Sequence, residues 1–334
     1  MTIQVDPNKP RILVALGGRS SEREVSIKSG ANVVAALENL KYQVGILDTG
    51  TGRLMQPPEI ANLQKDPAKL PSVINFPLID IARHFSLVFI ALHGKFGEDG
   101  GLQGILEEIG VPYVGSNPSA SAVAMNKKFS KYIFQAKQIP TAEFEIISQI
   151  TGRPSLAFPL VVKPAASGSS LGVAICTNEA DYKIAIKNAL EHSREAIVEK
   201  YIAGRELTVA IIENEKGEKK ALPVIEIKPQ TKFFDFKSKY NGSTQEIVPA
   251  KISEKLSRSA QDLAIKTYNA LGCRHFARVD MIADKNDKLF VLEANTIPGL
   301  TSESLLPKAA KAAGISFEEL IDHLVQTALR QSIS

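Results

Sequence analysis

The chain is expected to be an α/β protein in its first third and α+β in its C-terminal half. Three observations predict this: apolar runs alternating with amphipathic segments up to about residue 114, a change of pattern after Ile139-Pro140, and a strand–turn–strand stretch over 275–295. Strands alternating with helices imply a parallel sheet covered on both faces. Residues 12–16 form its first strand, broken by Gly17-Gly18, and Ser21-x-x-Glu24 is a capping box that opens a helix to about residue 40. The next strand is 44–47, followed by a Pro-rich connection with weak signals. A β-rich run at 87–92 ends at His93-Gly94, a helix over 102–109 stops at Gly110, and 111–114 returns as a strand.

A helix at 127–137 ends before Pro140, where the residue preceding a proline is pushed out of helical geometry. Beyond it the pattern gives a strand at 158–163, a Gly/Ser loop at 167–172, a helix at 181–190, and strands at 197–200 and 206–212. A polar connection at 229–249, a helix at 256–271, the hairpin at 275–295 and a terminal helix at 317–329 complete the chain.

Composition narrows the function classes. With 334 residues, and ~150 per domain as a guide, two or three domains are expected. A 44% hydrophobic, 23% charged chain builds ordinary cores, which excludes disordered, collagen-like and repeat-array classes. The net charge of +4 is spread along the sequence without clustered aromatics, so no nucleic-acid partner is expected. The run at 87–92 falls far short of the ~18–20 residues of a membrane helix, and MTIQVDPNKP lacks a signal-peptide core. Cys176 and Cys273 make neither a disulfide framework nor a zinc spacing. A cytoplasmic protein without a membrane partner is the expectation.

The hairpin carries the sharpest chemical reading. Arg278 and Asp280 are two apart on one strand, and Glu293 and Asn295 two apart on the next, so each pair shares a face. If Asn286-Asp287 is a two-residue turn, Asp280 lies opposite Glu293 and Arg278 opposite Asn295. Opposed carboxylates repel. A divalent cation relieves that conflict, and an Asp, Glu, Asn oxygen set suits Mg²⁺ held together with substrate phosphates. A one-residue change in loop length would turn one strand's face and undo the pairing.

Other clusters are weaker singly. Lys163 ends a strand and precedes the small-residue loop through Ser169 and Ser170 to Gly172, whose amides could cradle phosphates, although no Walker or dinucleotide fingerprint is present. Gly17-Gly18-Arg19-Ser20-Ser21-Glu22 lies where open α/β sheets bind ligands. That segment could merely turn and cap, but Glu22 exceeds what capping requires and could receive a substrate ammonium. His93-Gly-Lys-Phe-Gly-Glu-Asp-Gly100 gathers glycines and charges at a second strand end. Lys239-Tyr240 lies within the 229–249 connection, which reads as a lid, with Phe233, Phe234 and Phe236 as its apolar anchors. Residues 299–305 could offer backbone N–H groups and hydroxyls to a carboxylate. His84, His192, His275 and His323 read as structural or exposed, and the cysteines as inert.

Taken in order, GGRSSEREVS, HGKFGEDGGLQG, YVGSNPSASAVAMNK, VVKPAASGSSLGV, KSKY, RVD and LEANTIPGLTSESLLP resemble the D-alanine–D-alanine ligase family of the ATP-grasp superfamily, from about Arg11 to Val325. The resemblance implies an N-terminal α/β domain (1–126), a small central domain (127–212) and a C-terminal domain (213–334) with a mobile loop at 229–249, ATP lying between the last two. It implies phosphate-binding roles for Lys127, Lys163 and Ser170, and an adenine-holding role for Glu199, Lys200 and Ile202. Glu206 would contact the ribose, and Lys239 the transferred phosphate. Asp280, Glu293 and Asn295 would ligate Mg²⁺, two ions in all, with Mn²⁺ able to substitute. Glu22 would receive the first D-alanine's ammonium, with Ser169 and Tyr240 as its partners in a lid-tying triad and His93 nearby. Arg278 and the Gly299 N–H would face the tetrahedral oxyanion, and Ser304 and Leu305 the second D-alanine.

The implied reaction makes an acyl phosphate from D-alanine and ATP, which a second, neutral amine attacks; no His or Cys nucleophile is required. A homodimer is implied by the family alone. Departures from the usual pattern are Ala166-Ser167 for an Arg-Glu pair, Gly101 for Thr, and Glu303 for a His beside the acceptor pocket. Competing readings are an ATP-grasp ligase for D-lactate or another small D-amino acid, a nucleotide-binding regulator without turnover, and a nicotinamide dehydrogenase. The last lacks a glycine fingerprint.

Overall fold

In a computed structural model, residues 6, 8–65, 70, 78–150, 154–166, 168, 172–229 and 244–331 are described. The first strand, Arg11–Leu16 (β1), is buried at every position after Arg11, as a strand covered on both faces must be. It leads into Arg23–Asn39 (α1) and Gln43–Asp48 (β2), which pairs with β1 in parallel. Arg53–Met55 (β3) then folds back antiparallel on β2. After Ile60–Lys65 (α2) and Leu78–Ala82 (α3), Leu87–Ile90 (β4) pairs with β1 on its other side. Gly101–Glu108 (α4) and Tyr113–Val114 (β5) complete the sheet, in the order β3-β2-β1-β4-β5. Strand order reverses between β1 and β4, and their carboxyl ends carry Gly17-Gly18 and His93-Gly94, which is where an open α/β sheet opens a crevice.

The expected capping box does not form. Helix α1 starts at Arg23, and Glu22 occupies the N-cap position with no side-chain cap bond. Both Gly17 and Gly18 have positive φ, +77° and +75°. The turn they make brings Ser20 round to donate to the His93 carbonyl (2.7 Å) and accept from the Glu22 N–H (3.2 Å). Ser20, not Ser21, therefore stabilises the entry.

Two short helices follow, capped in series: Asn117 accepts from Ala120 ahead of Pro118–Met125 (α5), and Asn126 accepts from Lys128 and Phe129 ahead of Lys127–Ala136 (α6). The second sheet comprises Phe144–Ile147 (β6), Leu160–Pro164 (β7), Ala174–Cys176 (β8) and Ala196–Lys200 (β9), antiparallel in the order β6-β9-β7-β8. Helix Glu179–His192 (α7) covers it with Tyr182, Ala185, Ile186 and Ala189 against Leu160, Val162 and Val198.

The third sheet is built from Gly204–Glu213 (β10), Lys219–Ala221 (β11), Ile225–Pro229 (β12), Thr244–Ile247 (β13), Phe276–Asp284 (β14) and Leu289–Asn295 (β15). Helix Glu254–Leu271 (α8), capped by Ser253, packs Ala260, Ala264 and Tyr268 onto Leu207, Val209 and Val279. The other face joins the core of the first sheet through Ala210, Ile212 and Phe276, with Leu305–Ala312 (α9) and Phe317–Gln331 (α10) between them. Helix α10 buries Leu320, Ile321, Leu324 and Val325, and Tyr42 reaches it through a 2.6 Å bond to Asp322. That shared core holds the crevice of the first sheet against β14 and β15.

Candidate functional site

The β14–β15 hairpin sets Arg278 opposite Asn295 and Asp280 opposite Glu293. The expected two-residue turn is nevertheless wrong. Asp284 N–H donates to the Lys288 carbonyl, and the loop is Lys285-Asn286-Asp287, with Asp287 at φ +59°. This is the three-residue hairpin that ends in a left-handed residue. Pairing near the turn is therefore displaced by one: Met281 faces Val291 and Ala283 faces Leu289. A bulge between Asp280 and Met281, with Leu292 as the additional residue, restores the register where the chemistry lies.

Arg278 grips Asp280 with two parallel bonds, Nε to Oδ1 and Nη2 to Oδ2, both 2.9 Å, and Thr208 donates to Oδ1 at 2.5 Å. Burial opposes the guanidinium's charge, but Asp280 outweighs it and raises its basicity. The Lys127 ammonium lies 3.0 Å from Glu293, and Asn295 Oδ1 accepts the Ile297 N–H. Among the described residues no three carboxylate, imidazole or thiol groups converge on one metal position. The available donors are two carboxylates and an amide oxygen on one face, a hard-oxygen set that is completed only by water or substrate phosphates.

Opposite this hairpin stands the crevice of the first sheet. Arg23 forks onto Asp48 at 2.7 and 2.8 Å and also donates to the Gly18 carbonyl at 3.0 Å, fixing the glycine turn. Glu22 is brought close to two backbones: a Cβ at Gly168 would lie 3.0 Å, and one at Gly94 3.1 Å, from Glu22 Oε2. His93 is buried, its Nε2 3.1 Å from Ser29 Oγ, and burial pulls its pKa down to about 4. A neutral imidazole follows.

One cavity of about 230 Å³ joins the two sides. Glu22, His93, Lys127, Glu206, Arg278, Asp280, Glu293, Asn295, Gly299, Ser304 and Leu305 all line it, as does Gly168. A Cβ at Gly299 would be 2.6 Å from Ser304 Oγ, so a larger residue there would displace that hydroxyl. Ser304 in turn accepts from Thr301 N–H at 3.1 Å. Glu303 also lines the cavity, at its rim, where it is 83% exposed and ion-paired with Lys308 at 3.0 Å.

Lys163, Glu199, Lys200 and Ile202 do not line this cavity. Glu199 bridges Lys163 at 2.8 Å and Lys131 at 2.6 Å. Burial works to raise its pKa, but the two ammoniums win and hold it down to about 2. The Lys200 N–H is engaged with the Glu143 carbonyl. Ser169, Ser170, Lys239 and Tyr240, with Phe233, Phe234 and Phe236, lie outside the described residues.

Two residues of this region escape the sequence reading. Lys131 is fully buried, although a lysine on an amphipathic helix ordinarily faces water. Glu98 lines the cavity and accepts the Gly94 N–H at 2.5 Å. Its signal is the HGKFGEDG segment, where charge sits among glycines. Burial, then Glu22 and more weakly Glu293, push its carboxyl up to about 8, against Gly94 N–H and Arg278. The folded chain therefore holds a proton there that the unfolded chain releases near 4.5, so this contribution is complete below 4.5 and lost as pH rises through 8. Glu98→Gln keeps an acceptor for Gly94 without the charge, and its unfolding midpoint should rise relative to the parent between about pH 5 and 9 in denaturant titrations. An identical pH profile for both proteins would exclude the buried proton.

Two family models match the chain. A family model described as D-ala D-ala ligase N-terminus matches residues 11–116, and one described as D-ala D-ala ligase C-terminus matches 127–326. The D-alanine–D-alanine ligase of Desulforudis audaxviator is 41% identical over 326 residues, covering 95% of this chain and 98% of its own. The VanG D-Ala:D-Ser ligase of Enterococcus faecalis superposes with a TM-score of 0.83 at 31% identity, over 96% of this chain and all of that one. The D-alanine–D-alanine ligase of Bacillus anthracis complexed with ATP gives 0.79 at 34% identity, over 97% and 99%.

Proposed function

The chain belongs to the D-alanine–D-alanine ligase family, and from that premise we propose how its own residues carry the family's reaction. It is an ATP-grasp ligase that joins two D-alanines at the expense of ATP, supplying the dipeptide for peptidoglycan precursors. A carboxylate resists amine attack because its carbonyl carbon is electron-rich. An oxygen of the first D-alanine's carboxylate attacks the γ-phosphorus, the bond to the β-bridging oxygen breaks, and ADP leaves. The acceptor's amine, having lost a proton, attacks the resulting acyl phosphate; the tetrahedral oxyanion collapses and expels inorganic phosphate.

The facing Asp280–Glu293 pair beside Arg278, across the cavity from Glu22 and His93, carries this reading. Glu22 receives the first ammonium, and neutral His93 lies beside it. Lys127 and Lys163 attract the phosphates, and Glu206 takes the ribose. Glu199, Lys200 and Ile202 flank the adenine; Ser170 and Lys239 take phosphate, and Ser169 and Tyr240 complete the triad with Glu22, these four lying outside the described residues. Arg278 and the Gly299 N–H are aimed at the developing oxyanion, where preorganised donors are most effective. Ser304 and Leu305 hold the acceptor. Asp280, Glu293 and Asn295 would hold Mg²⁺, two ions with Mn²⁺ as substitute, which when bound offsets charge on the transferring phosphoryl group.

We assign three units, at 1–126, 127–212 and 213–334, although Gly204–Glu213 (β10) pairs with strands of the third sheet, so that sheet begins before residue 213. The connection expected at 229–249 is not all loop: Pro229 ends β12 and Thr244–Ile247 (β13) pairs with it, while 230–243 lie outside the described residues. A homodimer and a cytoplasmic location are part of the proposal. No described helix is long and apolar enough to cross a membrane.

Phosphate release measured with ATP, Mg²⁺ and D-alanine, with L-alanine as control, tests the function. D-alanine-dependent release with dipeptide as product is expected. A product dominated by depsipeptide with D-lactate, or by D-alanyl-D-serine, at neutral pH would reassign the acceptor. Glu22→Gln should raise the KM of the first D-alanine by about tenfold or more, as loss of a charge-assisted contact does, with ATP affected little. Equal loss for both substrates would count against the assignment.

A further inference from the structure

We propose that Lys131 is a positioning residue for nucleotide binding: by sharing the Glu199 carboxylate with Lys163, it leaves Lys163 able to attract phosphate. The inference rests on the ATP site proposed above. Lys131 is 0% exposed, Glu199 2% and Lys163 7%, so these three charges meet almost without water. The ammoniums divide the carboxylate, Lys131 on Oε1 at 2.6 Å and Lys163 on Oε2 at 2.8 Å.

Charge counting gives the consequence. Two ammoniums against one carboxylate leave a surplus positive charge in a buried place, which an anionic phosphate complements. Without Lys131 the remaining Lys163–Glu199 pair is neutral, and Glu199 claims Lys163 for itself. The geometry adds a second effect. Lys127 and Lys131 are four apart on α6 and therefore share a face. Lys127 reaches Glu293 on β15, whereas Lys131 reaches Glu199 on β9. Lys131 also donates to Thr141, whose hydroxyl donates to the Val291 carbonyl at 2.7 Å. One helical face thus fixes the second sheet relative to the third.

Initial-rate kinetics and calorimetric ATP binding on the full-length protein test this. Lys131→Met should weaken ATP, in KM and in calorimetric affinity, by about tenfold or more, with the KM values for D-alanine within about twofold. Should Lys131→Met not fold, Lys131→Gln, which can still donate to Glu199 but carries no charge, is read in the same way. Unchanged ATP affinity with only a lowered unfolding temperature would reduce Lys131 to a structural role and overturn the proposal. Absence of D-alanine-dependent phosphate release in the parent protein would instead strike the ligase reading, and calorimetry would still decide the role of Lys131.

Discussion

Arg278→Ala is expected to lower kcat by about 10²–10³, equivalent to ~3 kcal/mol of barrier, the usual cost of removing one oxyanion donor. The guanidinium is not a tethered charge that solvent could replace. Two of its N–H groups are committed to Asp280 at 2.9 Å, on a strand buried in the third sheet, and that commitment fixes the plane of the fork. Arg278 lines the cavity, so in the role proposed for it the guanidinium would meet the acyl carbon's oxygen as an already oriented cation. Asp280 is only 6% exposed, so the alanine variant also leaves a buried carboxylate supported by Thr208 alone among these partners. Arg278→Lys separates charge from geometry: a lysine keeps the charge but cannot reproduce two parallel bonds, so most of the loss should remain. Pre-steady-state measurement of dipeptide formation, beside thermal unfolding of each variant, reads the two effects apart. Near-normal turnover in Arg278→Ala would exclude the oxyanion role.

Much of this site is legible in the sequence, and what is hidden is hidden for physical reasons. Period-two spacing puts Arg278 with Asp280, and Glu293 with Asn295, whatever the turn does. Their facing is another matter: the three-residue loop shifts the register, and Leu292 shifts it back. Neither event has a glycine or proline to announce it. The parallel sheet follows from apolar runs, but the antiparallel edge Arg53–Met55 is too short to show a period. Helix Pro118–Met125 is built from small residues without amphipathic contrast, so only Asn117 and Pro118 at its start betray it. Lys131 illustrates the larger limit. Its partner Glu199 is brought to it by the second sheet, and no local pattern distinguishes it from a surface lysine. Glu98 is similar, because its proton depends first on burial by the assembled fold and then on Glu22 and, more weakly, Glu293 arriving from other elements.

The second large effect is expected on the opposite wall. Arg23→Ala should destabilise the folded chain by about 3–5 kcal/mol, the cost of leaving one partner of a buried ion pair alone. Asp48 is 1% exposed, and besides the Arg23 fork it accepts from Gly50 N–H at 3.0 Å and Thr51 at 2.9 Å. Burial alone would raise its pKa; the Arg23 guanidinium overcomes that and holds it below the usual carboxylate range. The lowered folded value means that this stabilisation is present above the ordinary carboxylate pKa and is lost as pH falls through the folded one. Arg23→Ala should therefore cost most near neutral pH and progressively less in acid. Replacing both partners with apolar residues, Arg23→Met with Asp48→Leu, should recover part of the loss, because no buried charge is then stranded. Activity should not recover with it. Arg23 also holds the Gly18 carbonyl, and Gly17 and Gly18 deliver Glu22 to the cavity. Urea titration across pH, with the KM of the first D-alanine measured on the same proteins, checks both halves. A double variant restored in stability and in D-alanine KM alike would show that Arg23 holds the sheet but does not aim Glu22.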